Sequence, residues 1–112
     1  MKAVIYHDPG CEDSVATIDL LEKANLNVEV IQYLKNPPSK AELKKIIKSL
    51  DLPIQEIIRK KDPDYKYISP DMSEDQIVST LRKHPRLIKC PIVITEKGAV
   101  IARPPEAVLD II

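Results

Sequence analysis

A chain of 112 residues is long enough to bury one hydrophobic core and too short for two ordinary ones, so a single domain spanning 1–112 is expected. Seventeen basic and seventeen acidic side chains cancel to zero formal charge, which excludes a global field for nucleic acid or anionic lipid and requires any anion site to be local. Four tyrosines, with no Phe or Trp, mean an aliphatic core and no aromatic platform for single-stranded bases.

The run "KAVIYH" at 2–7 is apolar and β-branched and stops at Asp-Pro-Gly, as a buried strand before a turn does. From about Cys11 to Ala24 the period changes: Val15, Ile18 and Leu21 recur in steps of three with Leu20 and Ala24 beside them, which predicts a helix ending at Asn25. "NVEVIQYL", 27–34, alternates as a second strand does. These elements form a βαβ unit with parallel strands and a right-handed crossover, and the helix starts at the carboxyl edge of the first strand, where open α/β sheets place ligands.

"NPPS" at 36–39 breaks the pattern. Ser39 and Glu42 predict a capping box ahead of Leu43, Ile46, Ile47 and Leu50, and Ser73 with Gln76 repeats it before Ile77, Val78 and Leu81 in a helix to about Lys83. A short helix is expected from Pro53 through Ile54, Ile57 and Ile58 to Arg59, followed by a loop at 60–71. Positions 35–83 thus form a helical insertion. "IVITEKGAVIARP" predicts an antiparallel hairpin turning at Lys97 and Gly98, and Pro104 and Pro105 open a closing helix whose expected buried positions are Val108, Leu109, Ile111 and Ile112. The order βαβ, helices, ββα is that of an α/β, thioredoxin-like fold with a mixed four-stranded sheet and an insertion in the middle.

No apolar stretch approaches the ~20 residues that cross a bilayer, and "MKAVIYHD" lacks a secretory h-region, so a cytoplasmic protein without membrane contact is expected. Cys11 and Cys90 match no C-x-x-C or zinc spacing, so no metal site is expected and a structural disulfide is the less favoured reading in a reducing cytosol. Two readings of Cys11 stand: a small buried hydrophobe, or a reactive thiol. Its polar surroundings, "HDPGCEDS", favour the second. The opening N–H groups and positive end of a helix stabilise a thiolate and can hold an oxyanion beside it. A protonated His7 would add a cation, against Asp8, Glu12 and Asp13. Ser14 can hydrogen-bond the thiolate or cap the helix.

The segments "IYHDPGCEDS", "YLKNPPSKAEL", "IIRKKDPDY", "HPRLIKCPIVIT" and "ARPPEAVLDII" together resemble the glutaredoxin-coupled arsenate reductase family, a thioredoxin-like group that includes the Spx-type regulators. The resemblance implies a thiol-dependent oxidoreductase with no bound cofactor. Cys11 is then the nucleophile that attacks arsenate; glutathione, a co-substrate, displaces oxygen from the adduct, and glutaredoxin reduces the mixed disulfide to release arsenite. His7 matches the family histidine near the nucleophile. Arg59 and Arg103 match two of three family arginines that hold the oxyanion and stabilise the thiolate.

The third arginine position is Cys90. Cysteine offers no cation where arginine offers a planar fork, and one lost contact of ~1.5–3 kcal/mol weakens oxyanion binding about ten-fold or more. The resemblance also makes Pro91 the cis-proline that packs against the nucleophile, which would set Cys90 near Cys11. Cys90 is then either a resolving thiol or a partly buried small residue left after the arginine function was lost. Two alternatives to the arsenate reductase follow: a non-enzymatic, redox-responsive regulator, weakened by C-E-D-S standing where Spx-type members carry C-x-x-C, and a small-disulfide reductase with an impaired arsenate clamp.

Overall fold

The structure is a computed structural model describing residues 1–112. Its backbone contacts divide into two compact units, Met1–Asn36 with Cys90–Ile112, and Pro37–Lys89. The second begins and ends a little later than the insertion expected at 35–83.

The first unit is built on a four-stranded sheet. Strands β1 (Lys2–Tyr6), β2 (Asn27–Ile31), β3 (Ile92–Thr95) and β4 (Gly98–Ile101) lie in the order β2-β1-β3-β4. β1 runs parallel to β2, with Ile5 opposite Val30, and antiparallel to β3, with Ile5 opposite Val93 and Tyr6 opposite Ile92; β3 and β4 form the antiparallel hairpin. Helix α1 (Glu12–Lys23) connects the parallel pair. It ends where Asn25 takes a left-handed conformation, φ 61°, one that asparagine tolerates better than most side chains. A 3₁₀ helix, Pro105–Ile111, packs on α1 and β4. The core is Ala3, Ile5, Leu21, Val93, Ala102, Val108 and Ile111, an aliphatic cluster as the composition requires.

β2 is shorter than the expected 27–34. After Ile31 the chain turns, with the N–H groups of Lys35 and Asn36 donating to the Gln32 carbonyl at 3.1 and 3.0 Å. As an edge strand it leaves Val30 46 % exposed, so alternation here does not mark a buried face. The closing helix departs from expectation at Leu109, which is 54 % exposed. At three residues per turn a 3₁₀ helix sets Val108 and Ile111 on one face and turns Leu109 outward.

In the second unit α2 (Lys40–Leu50) and α3 (Glu74–Lys83) pack on each other. Ser39 Oγ accepts from Glu42 N–H at 3.1 Å. At α3 both halves of the capping box form: Ser73 Oγ accepts from Gln76 N–H at 3.2 Å, and Gln76 Oε1 accepts from Ser73 N–H at 2.8 Å. The helix expected after Pro53 is a 3₁₀ turn, Ile54–Ile57, and the loop expected at 60–71 contains another, Pro63–Tyr67. Short backbone bonds, Arg59 N–H to Leu87 O at 2.7 Å and Lys89 N–H to Ile57 O at 2.9 Å, tie the first turn to the end of the unit. No helix is long and apolar enough to cross a membrane.

Candidate active site

The site grows out of the turn that joins β1 to α1. His7 extends β1 by donating its N–H to Ile31 O at 2.8 Å. Asp8 then folds the chain back: its side-chain Oδ1 accepts from Gly10 N–H at 2.9 Å and its carbonyl accepts from Cys11 N–H at 3.0 Å, an Asx turn closed by the backbone. Cys11 lands on the N-cap of α1 with extended backbone, φ −101° and ψ 115°, and no side-chain capping bond. Its carbonyl accepts from the N–H groups of Ser14 and Val15, both at 3.1 Å. The N–H groups of Glu12 and Asp13 have no acceptor upstream, so the helix opens with donors available to an anion beside the sulfur.

Cys11 is half-buried, with Sγ 3.8 Å from the Cys90 carbonyl oxygen, a weak contact that only the protonated thiol can make. Cys90 is fully buried. The register explains the meeting. Tyr6 pairs with Ile92, so continuing the antiparallel ladder outward carries Cys90 alongside the Asp8 turn, and Asp8 holds Cys11. The Cys90–Pro91 peptide bond is cis, as is Arg103–Pro104.

His7 and Ser14 form a buried pair, Nδ1 to Oγ 2.5 Å, and Ser14 Oγ also accepts from Asp8 N–H at 3.3 Å. Burial pushes the His7 pKa below its ordinary value, with the Asp8 carboxylate opposing in part. A neutral imidazole whose Nδ1 accepts a hydrogen bond from the Ser14 hydroxyl, with Ser14 Oγ accepting from Asp8 N–H, satisfies these groups. The cation that a protonated His7 would bring to Cys11 is therefore disfavoured. Ser14 sits inside the first turn of α1 with its hydroxyl engaged by His7 and Asp8, and the cap position is Cys11 itself.

Because the folded-state pKa of His7 lies below that of the unfolded chain, the unfolded state takes up the proton first as pH falls. The contribution of this pair is complete above the ordinary value of 6.5 and is lost as pH drops through the folded pKa. Ser14→Ala leaves the imidazole nitrogen and the Asp8 N–H without a partner, an expected loss of ~1–3 kcal/mol in urea unfolding at neutral pH. A loss below ~0.5 kcal/mol, within the range of an indifferent surface change, would refute the pairing.

Arg103 follows β4 and reaches the first turn of α1, where its Nε lies 3.5 Å from Asp13 Oδ2. Ala102 N–H donates to Pro91 O at 2.9 Å, which holds this segment beside the Cys90–Pro91 loop. The first unit thus gathers Cys11, His7, Ser14, Cys90, Pro91 and Arg103. Arg59 belongs to the second unit, half-buried after the Ile54–Ile57 turn. Asp13 and the Cys90 carbonyl were not singled out from the sequence; each is joined to its partner across roughly eighty to ninety positions, and no local pattern signals such a pairing.

A mixed sheet of this order, with a cysteine at the start of the first helix and a cis-proline loop beside it, defines a thioredoxin-like α/β protein with one half-exposed thiol at its active edge. The sequence profile of the ArsC family matches residues 6–111. The chain is 36 % identical to an arsenate reductase of Rhizobium meliloti, the match covering 100 % of this chain and 82 % of that protein, and 35 % identical to one of Escherichia coli, over 96 % and 79 %. The structure matches that of an arsenate reductase from Vibrio cholerae with a TM-score of 0.95 and 38 % identity, over 100 % of this chain and 98 % of the other. The chain belongs to the ArsC family.

Proposed function

We propose that this protein is a thiol-dependent arsenate reductase acting in the cytoplasm, with Cys11 as nucleophile. The observation that carries this reading is Cys11, half-buried on the N-cap of α1 beside backbone N–H donors, in a chain that is 36 and 35 % identical to arsenate reductases over 82 and 79 % of their length. The Cys11 thiolate attacks arsenic and a hydroxide leaves as water, giving a thiol–arsenate adduct. Glutathione displaces a second oxygen as water, glutaredoxin attacks the glutathione sulfur and leaves with it as a mixed disulfide while the electron pair stays on arsenic, which becomes trivalent, and water then frees arsenite from Cys11.

Arg103 brings a cation to this helix start through Asp13. Its ion pair with Asp13 is 43 % and 37 % exposed, and pairs of that kind contribute ~1 kcal/mol or less, so the guanidinium can leave Asp13 for an oxyanion at small cost. Arg59 enters this reading through the family resemblance. Ser14 and His7 shape the turn that presents the sulfur.

The test is arsenite production from arsenate with glutathione and glutaredoxin. Arg103→Ala is expected to raise KM for arsenate roughly ten- to hundred-fold, the loss of a charge-assisted bond of ~1.5–3 kcal/mol, and Arg103→Lys to recover part of it. Wild-type protein that yields no arsenite would overturn the proposal, and an unchanged KM in the alanine variant would remove Arg103 from the site.

A further inference from the structure

Cys90, which stands where the family resemblance implies a third arginine, is fully buried, with its carbonyl oxygen 3.8 Å from Cys11 Sγ. Both residues are present as thiols. The contact sets the Cys11 sulfur against the backbone of the residue that carries the second sulfur. The β1–β3 register and the Asp8 turn hold them there.

We propose that Cys90 is an internal resolving thiol, which takes the place of glutathione in releasing the reduced oxyanion. The inference rests on the arsenate reading of Cys11. Once the Cys11–arsenate adduct has formed, the Cys90 sulfur attacks Cys11 Sγ in line with the sulfur–arsenic bond. The sulfur–sulfur bond forms and the sulfur–arsenic bond breaks with its electron pair going to arsenic, which becomes trivalent. The Cys90 proton passes to the departing arsenite. Two thiols are oxidised to one disulfide and arsenate is reduced by two electrons, so the step needs no other reductant. A dithiol reductant then reopens the Cys11–Cys90 disulfide for the next turnover.

This assigns the arginine-to-cysteine replacement a chemical role. By the family resemblance the oxyanion clamp is weaker by one cation, and a second thiol belongs to the residue whose carbonyl meets Cys11 Sγ. The burial of Cys90 keeps it from external electrophiles.

The test uses fully reduced, full-length protein with one addition of arsenate and no glutathione. Wild type is expected to release close to one arsenite per chain and to show, in non-reducing peptide mapping, a single intramolecular Cys11–Cys90 cross-link. Cys90→Ser and Cys90→Ala, each checked for fold by circular dichroism, are expected to release at least ~ten-fold less until glutathione is added. Equal release by wild type and both variants without glutathione overturns the proposal, as does wild-type release that requires glutathione. Only the latter leaves the arsenate reading of Cys11 firmly in place, because glutathione-dependent release still proceeds through that residue. No arsenite under either condition refutes the reductase reading, and the resolving role falls with it.

Discussion

Replacing Cys11 with serine is expected to abolish arsenate reduction, with or without glutathione and glutaredoxin. Serine keeps the shape of the site but changes its chemistry in two ways. Its hydroxyl remains protonated at neutral pH without a strong base, whereas a thiol is readily ionised, and the neutral His7 is engaged with Ser14 at 2.5 Å. On the glutathione-free route, oxygen also cannot supply the electrons that the Cys11 sulfur supplies when a disulfide forms. Activity is expected to fall by at least ~10³-fold, to the level without enzyme. The fold should stand, because a hydroxyl at this position can accept from the first-turn N–H groups; unchanged circular dichroism with absent arsenite production is the expected pair of measurements. Activity above a few per cent in Cys11→Ser would mean that another group performs the attack.

Replacing Ile5 with alanine has the largest expected effect on stability. Ile5 is fully buried in β1, opposite Val30 on one side and Val93 on the other, and belongs to the cluster with Leu21, Val108 and Ile111. A central strand hydrogen-bonded on both sides cannot collapse into the space left by three lost carbons, so transfer and cavity terms both apply, at ~3 kcal/mol within a usual range of about 2–5. For a domain of this size that lowers Tm by roughly 10 °C. A thermal shift below ~3 °C would show that the sheet repacks around β1 more freely than its burial indicates.

The parts of the fold written in local chemistry were readable from the sequence. Ser73 and Gln76 mark the start of α3, and Asn25 marks the end of α1, because each acts on backbone groups only a few residues away. Cys11 at a helix start was legible for the same reason. Errors appeared where neighbours decide the outcome. The length of β2 depended on a turn at Gln32 and on its place at the sheet edge, and the outward position of Leu109 depended on a tighter helix than the periodicity suggested. In the site, Arg103 with Asp13 and Cys11 with the Cys90 carbonyl are joined by the fold across the chain, while His7 meets Ser14 within one turn. The family resemblance anticipated a meeting of Cys90 with Cys11, but the sign of the His7 effect required knowing that its ring is buried.

The bare sulfur at the head of α1 carries a cost outside the reaction. An aspartate, asparagine or serine there would secure the helix by ~1 kcal/mol, and Cys11 makes no such bond. The turn at the head of α1 therefore lacks one anchor that a common capping residue would provide, and a sequence tuned for endurance alone would add that anchor and lose the thiol.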